Sequence, residues 1–284
     1  MEILVVGLGL IGGSLCKGIS RYTNHTVRGY DTDPAVLDSA VKCGAIASAA
    51  TTDDFGSFDL VIICLHPHIE TAFIKEHISR FQKGAVITDV CGVKGNMVPE
   101  ITELAAEYGI RFVGAHPMAG KEHYGFAFSD CTIFIGANFI VTPVPQTDKQ
   151  AVLLVEKLAK ELGFGTIVET SPEEHDRIIA YTSQLAHVVS SAYVKSPTMQ
   201  QEMGFSAGSF KDMTRIATLN ESMWTSLFLE NRDCLLFELD ELIGQLEIYR
   251  KAIADSDSDQ LKSLLREGRI LKEENIRQRT RENE

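Results

Sequence analysis

The six cysteines, at 16, 43, 64, 91, 131 and 234, include no CxxC pair, and most lie inside apolar runs. That sets aside a disulfide framework and predicts buried thiols in a reducing compartment. Basic residues are in deficit, with 27 Lys and Arg against 39 Asp and Glu and a net charge of −12. A nucleic-acid partner is argued against, because a phosphate backbone needs a basic surface. No apolar run approaches the length of a membrane span, so no membrane partner is expected. The first residues read as a strand and not as a basic-then-apolar signal, so the expected location is cytoplasmic. There is no P-loop, no Ser-His-Asp arrangement, no internal repeat and no low-complexity segment. Tryptophan occurs once, as Trp224; taken alone it reads as core. What is left is ordinary for a soluble globular protein of 284 residues: 44% hydrophobic and 23% charged, enough for one large domain or two average ones.

The chain is organised around residues 1–31. An apolar run over 3–6 suits a strand buried on both faces of a parallel sheet. Gly7-Leu8-Gly9-Leu10-Ile11-Gly12 follows at once and opens a helix. A second strand over 26–30 ends in Asp31, about 20 residues past the glycines, as a dinucleotide-binding βαβ unit requires. Gly7 permits the tight turn, Gly9 lets a pyrophosphate approach the backbone, and Gly12 lets helix and sheet pack closely. The helix N-terminus, at Leu10 and Ile11, offers amide groups and partial positive charge to the phosphates. Asp31 accepts from the ribose hydroxyls and would repel a 2′-phosphate, which favours NAD over NADP. Arg21 and Arg28 are nearby in sequence, but neither follows Asp31 directly, where a phosphate clamp is expected.

Further along, Asp33-Pro34 caps a helix to about residue 43. Buried strands are predicted over 60–65, 85–89 and 111–115, alternating with helices from about 69 and over 95–108. Residues 131–142 read as two short strands broken near 137–138, 146–162 as an amphipathic helix, and 165–169 as a closing strand. At Ser171-Pro172-Glu173-Glu174 the pattern changes, with Ser171 as cap, Pro172 in the first turn and Glu174 completing a capping box. Helices then cover about 172–195, 200–219, 222–253 and 257–280. The expectation is an α/β domain over 1–170, with a mainly parallel, doubly wound sheet of the Rossmann type, and an all-α domain over 171–284. Leu227, Leu235, Leu239, Leu242 and Leu246 give the long helices more apolar face than a small domain buries, so a homodimer through the helical domain is expected.

Ligands of doubly wound sheets sit beyond the carboxyl ends of the strands. Polar residues cluster at three such ends: Leu65-His66 with His68, Asp89 to Lys94, and His116 to Glu122. His116 can take a proton from a substrate hydroxyl while hydride leaves the same carbon; the plainer reading is a histidine that only holds its loop. Ser183 and His187 are four apart and share a helix face, either as a polar wall of the crevice or as a satisfied core pair. Arg215 sits on an otherwise apolar helix, where a buried guanidinium needs an anion: a substrate carboxylate, or Glu122, Asp212 or Glu230. His66-x-His68 lacks a clear third ligand, so this loop, with Leu65, is read as lining the cofactor and no metal is assigned.

Taken together, His116-Pro-Met-Ala-Gly-Lys-Glu122, Ser183-Gln-Leu-Ala-His187 and Phe210-Lys-Asp-Met-Thr-Arg-Ile-Ala217 resemble the prephenate dehydrogenase family of tyrosine biosynthesis, over nearly the whole chain. The resemblance implies NAD-dependent oxidative decarboxylation of prephenate to 4-hydroxyphenylpyruvate. It implies that His116 is the catalytic acceptor for the ring hydroxyl and that Arg215 holds the ring carboxylate. Glu122 would pair with Arg215 or gate the pocket, Ser183, His187 and Trp224 would line the substrate end, and the helical domain would dimerise. Gly7, Gly9, Leu10, Ile11, Gly12, Asp31, Leu65, His66 and Asp89 are the expected cofactor-binding residues.

The sequence departs from the family pattern in three places. Gly92 stands where a serine usually precedes Val-Lys, leaving that serine's work to a backbone N–H, to Cys91 or to water. Ala186 replaces the usual proline, and Tyr124 a serine. Arogenate, or both substrates, stays open as an alternative. A β-hydroxyacid dehydrogenase would depend on a helical-domain lysine such as Lys195 or Lys211, and the HPMAG-x-E element argues against it. A non-catalytic NAD-binding sensor is favoured only by Gly92.

Overall fold

The computed structural model describes residues 1–121 and 123–282. The chain forms two compact units, Met1–Cys234 and Leu235–Glu284. The first is built on five parallel strands, β1 (Glu2–Val6), β2 (Thr26–Tyr30), β3 (Leu60–Ile63), β4 (Val86–Asp89) and β5 (Arg111–Val113). Their order is β2-β1-β3-β4-β5, so the winding reverses between β1 and β3. Successive side chains go to opposite faces. Ile3, Val5, Leu60, Ile62 and Val86 join one core, while Leu4, Val6, Val61, Ile63 and Ile87 join the other. Both faces are covered, which is why these strands read as continuous apolar runs and not as alternating ones. Each fully buried aliphatic side chain contributes roughly 1.5–3 kcal/mol. The covering helices are α1 (Leu10–Tyr22), α2 (Pro34–Lys42), α3 (Pro67–His77) and α4 (Met97–Glu107).

A second sheet, β6 (Ala115–Pro117), β7 (Phe139–Val141) and β8 (Ile167–Glu169), pairs antiparallel and then parallel, with α5 (Lys149–Glu161) between β7 and β8. The strand expected over 111–115 is therefore split at Gly114. A Cβ there would lie 2.5 Å from both Thr142 Oγ1 and Val98 Cγ2. The missing side chain lets the chain pass close to β7 and change sheets, with Thr142 N–H donating to the Gly114 carbonyl at 2.9 Å. Of the two strands expected over 131–142, the first is a 3-10 turn, Cys131–Phe134. The Asp130 carboxylate captures the Thr132 N–H at 3.0 Å and starts that turn before a ladder can form.

In the helical stretch, α6 (Pro172–Ile179) runs through a π segment, Ala180–Leu185, into α7 (Ala186–Tyr193). Ser171 caps α6 by accepting from Glu174 N–H at 3.2 Å. The return half of the expected capping box is absent from its bonds, because the Glu174 carboxylate is engaged by Arg177 at 2.6 and 2.9 Å. The helix expected over 200–219 is shorter, α8 (Gly208–Thr214), preceded by Gly204 at φ +86°. The long helix expected over 222–253 breaks at Asn231 into α9 (Glu221–Glu230) and α10 (Arg232–Ala254). There the Asn231 amide donates to the Asp176 carbonyl and to Gln184 Oε1, both at 2.8 Å.

The second unit carries the rest of α10 and α11 (Ser258–Glu282). Leu235, Ala252 and Leu264 are buried in it, whereas Leu236, Phe237, Leu246, Ile253, Leu265 and Leu271 are exposed. No described helix is long and apolar enough to cross a membrane.

Candidate active site

The switch point between β1 and β3 holds the glycine turn. Gly7 has φ +85°, and a Cβ on it would lie 2.6 Å from the Cys64 carbonyl oxygen and 2.9 Å from Leu65 Cδ2. A Cβ on Gly12 would lie 1.9 Å from the Gly7 carbonyl oxygen, so helix and strand meet backbone to backbone. At Gly9 a Cβ would meet nothing within 4 Å, leaving space over the N-terminus of α1. No side chain caps that helix, and its first-turn amides at Leu10, Ile11 and Gly12 have no intrahelical acceptor. Asp31 accepts from Leu8 N–H at 2.7 Å and from Asp33 N–H at 2.9 Å, one on each oxygen, with lone pairs left for a diol. Arg28 is held by Asp54 and the Ala49 carbonyl, both at 3.0 Å, and so is committed away from a 2′-phosphate. These residues fit a dinucleotide: open space over Gly9, uncapped amides for the pyrophosphate, and an anchored acid for the ribose.

His66 is the N-cap residue of α3 and exposed, its ring stacked on that of His68 with centroids 5.9 Å apart. Among the described residues, the group that brings three metal-capable atoms together is a different one: Glu70, Asp89 and Cys91. Asp89 ends β4 fully buried. It accepts from Ala115 N–H at 3.0 Å and Cys91 N–H at 2.8 Å, and it pairs with the equally buried Lys94 ammonium. Its oxygens hold the turn Val90–Lys94 to β6; the expectation that Asp89 binds cofactor gives way to this anchoring. Burial acts against the Lys94 ammonium, but Asp89, Cys91 and Glu70 together hold its pKa above the usual lysine value. Glu70 is buried beside Asp89 and Cys91, and the Cys91 thiol is the hydrogen-bonding neighbour of its carboxyl group. Burial first, and the Asp89 charge next, push its pKa well up.

His116 lies inside β6, not in a loop after a strand. Its backbone is fixed in the ladder opposite Ile140. Its Cε1–Nε2 edge faces Gly92, where a Cβ would come within 3.8 and 3.9 Å of those atoms and 3.2 Å of Leu227 Cδ2. Burial, then the neighbouring His175 and Lys94, depress its pKa well below that of a free histidine, so the ring is neutral at pH 7. On its other edge Nδ1 meets His175 Nε2 at 2.9 Å, and His175 Nδ1 meets Asp176 Oδ1 at 2.7 Å. Asp176 also accepts from the backbone N–H groups of Lys94 at 2.8 Å and Gly95 at 2.7 Å. Sequence reasoning did not single out His175 and Asp176. They lie in the charged first turn of α6, a stretch that reads as a solvated face, and only the docking of that turn on Lys94 and Gly95 turns it inward.

His187 Nδ1 donates to the Ser183 carbonyl at 2.8 Å, and the imidazole stacks on Trp224 with centroids 3.9 Å apart. The pair expected from their spacing is thus made through the Ser183 backbone and not its hydroxyl. Burial lowers the His187 pKa, and Arg215 lowers it further. Arg215 itself is exposed, which corrects the expectation of a buried guanidinium. Glu122 lies outside the described residues. Cys91, a candidate to replace the family's serine, is buried, and burial pushes its thiol pKa well up. His116 is held by His175 instead.

A doubly wound sheet with an open glycine turn, an anchored acid after β2 and a half-buried neutral histidine beside the crevice defines an NAD-dependent oxidoreductase. Two family profiles match the chain: prephenate dehydrogenase, nucleotide-binding domain, over residues 15–168, and prephenate dehydrogenase, dimerization domain, over 171–267. The prephenate dehydrogenase of Bacillus subtilis is 32% identical over 269 residues, covering 91% of this chain and 72% of that protein. The cyclohexadienyl dehydrogenase of Zymomonas mobilis is 32% identical over 270 residues, covering 92% and 91%. Among solved structures, the prephenate dehydrogenase of Aquifex aeolicus in complex with hydroxyphenyl propionate and NAD+ superposes with a TM-score of 0.87 at 29% identity, covering 96% and 98%. The chain belongs to the prephenate dehydrogenase family.

Proposed function

We propose that the protein catalyses NAD-dependent oxidative decarboxylation of prephenate to 4-hydroxyphenylpyruvate. The observation that carries this reading is the half-buried, neutral His116 with a ring edge toward the space left by Gly92. In this reading the His116 ring takes the proton of the substrate's ring hydroxyl. NAD, when bound, supplies the hydride acceptor. Gly7, Gly9 and Gly12 with the amides of Leu10 and Ile11 hold the pyrophosphate, Asp31 holds the ribose, and Leu65 and His66 line the crevice. Arg215 binds the ring carboxylate, with Glu122 as its partner or gate, and Ser183, His187 and Trp224 wall the substrate end. The exposed apolar side chains of α10 and α11, together with the dimerization description of the matching family profile, support a homodimer. A second reading, arogenate or both substrates, is favoured by the similarity to a cyclohexadienyl dehydrogenase.

The test is reduction of NAD+ by the purified protein with prephenate and arogenate in parallel, and NADP+ as the second cofactor. Turnover with prephenate and NAD+ is expected. In His116→Asn, turnover should all but vanish with NAD binding kept; unchanged turnover would remove His116 from the chemistry. A folded, NAD-binding protein silent with both substrates would turn the reading to a sensor.

A further inference from the structure

We propose that His175 and Asp176 are positioning residues for His116, making Nδ1 its protonated nitrogen and leaving Nε2 bare to take the hydroxyl proton. This rests on the reading of His116 as proton acceptor. The argument starts from donors whose identity is not in question. The Lys94 and Gly95 backbone N–H groups both donate to the Asp176 carboxylate, at 2.8 and 2.7 Å. A carboxylate so placed only accepts, so the hydrogen between it and His175 Nδ1, at 2.7 Å, sits on His175. A neutral His175 then has a bare Nε2, and His116 Nδ1, 2.9 Å away, must donate to it. A neutral His116 carries no second ring proton, so Nε2, on the edge toward Gly92, is an acceptor.

The same chain of bonds serves the charge that forms during the reaction. As the substrate O–H bond breaks, a new N–H bond forms at Nε2 and His116 becomes an imidazolium. No further proton has to move. The positive ring is stabilised through Nδ1–H on His175 and, through His175, by the Asp176 carboxylate, much as an aspartate serves the histidine of a serine hydrolase. The arrangement also opposes Lys94, whose buried ammonium disfavours a charged His116 and is itself neutralised by Asp89.

Both edges of His116 are tied to one buried network. Leu227 flanks Gly92, and its carbonyl accepts from Gln184 Nε2 at 3.1 Å. Gln184 Oε1 accepts from Asn231, whose amide also donates to the Asp176 carbonyl, both at 2.8 Å. Asp176, Gln184, Asn231 and His175 are all buried. The wall in front of the ring and the anchor behind it are therefore one hydrogen-bonded unit. The ring is therefore oriented with no side chain at position 92.

The experiment pairs ring ¹⁵N–¹H NMR of His116 with steady-state kinetics on the full chain. The wild type should show Nδ1 protonated and Nε2 bare. In Asp176→Asn the carboxylate charge is lost and the amide NH₂ must face the backbone N–H of either Lys94 or Gly95, so the anchor behind His175 is broken. kcat should fall by at least about 100-fold, the corresponding change in a serine protease costing on the order of 10⁴. KM for NAD+ should stay within about threefold, since the crevice is untouched. His175→Phe should lose the fixed tautomer and kcat together, and His175→Gln, which keeps an acceptor facing Nδ1, should recover part of both. His175→Phe leaves the Lys94 and Gly95 bonds to Asp176 in place, so it decides the matter if Asp176→Asn does not fold. A wild type with Nε2 protonated, or a folded Asp176→Asn or His175→Phe that keeps both tautomer and kcat, would overturn the proposal. Absence of dehydrogenase turnover in the wild type would sink the functional reading alone, because the NMR arm needs no substrate.

Discussion

Replacing Lys94 by methionine tests how the turn before the site is held. Lys94 and Asp89 are both fully buried and paired, and the only other donors to Asp89 among the described bonds are the Cys91 and Ala115 amides. Lys94→Met keeps most of the volume and leaves a carboxylate in the core without its counter-charge. Breaking a buried pair from one side costs about 3–5 kcal/mol, against a total stability of roughly 5–15 kcal/mol. With a urea slope of about 1–3 kcal/mol per M, the unfolding midpoint should fall by at least about 1 M. Asp89→Asn should also destabilise, by leaving the ammonium unmatched. The double variant Lys94→Met/Asp89→Asn should lose less than the sum, since it removes both charges. The pH window follows from the raised lysine pKa: the contribution is fully present below the ordinary value of 10.5 and is lost as pH rises through the folded value. A single variant within about 1 kcal/mol of wild type at pH 7 would refute the argument, because it would mean that Asp89 is not charged in the fold.

Gly9→Ala meets no atom within 4 Å, so melting should be unchanged while NAD binding, read by calorimetry, is lost; binding at wild-type strength would mean that the pyrophosphate lies elsewhere. Gly92→Ser puts a Cβ 3.2 Å from Leu227 and a hydroxyl beside His116, and kcat should change by less than about threefold because the ring is already oriented; a gain above about tenfold would show that His175 does not fix it. Glu70→Gln should stabilise the protein increasingly as pH rises above the ordinary carboxyl value of 4.5. There the unfolded chain ionises Glu70 and the fold resists doing so, and a thermal-shift difference flat from pH 4 to 8 would exclude the buried neutral acid.

The parallel sheet was legible because its chemistry is local. Apolar runs, a glycine turn and Asp31 each announce their own place, and β2 and the cap of α2 fall where the pattern puts them. What the sequence concealed depends on contacts distant in the chain. Gly114 changes sheets because of Thr142 and Val98, and nothing within its own stretch says so. Asn231 ends a helix by bonding residues 176 and 184. His175 looks like part of a charged surface turn until Lys94 and Gly95 dock on Asp176. Arg215 shows the opposite error: an apolar neighbourhood in sequence suggested burial, yet the short α8 leaves the side chain exposed.

The change of sheets at Gly114 divides the crevice into a fixed part and an adjustable one. His116 inherits the rigidity of a ladder, paired to Ile140 on one side and preceded by an amide clamped to Asp89. Substitutions in loops therefore have little leverage on where its ring sits. His187, Arg215 and Trp224, by contrast, sit on or beside short helices next to a π segment, which tolerate repacking turn by turn. Those short helices can be remodelled through many small steps while His116 stays in place.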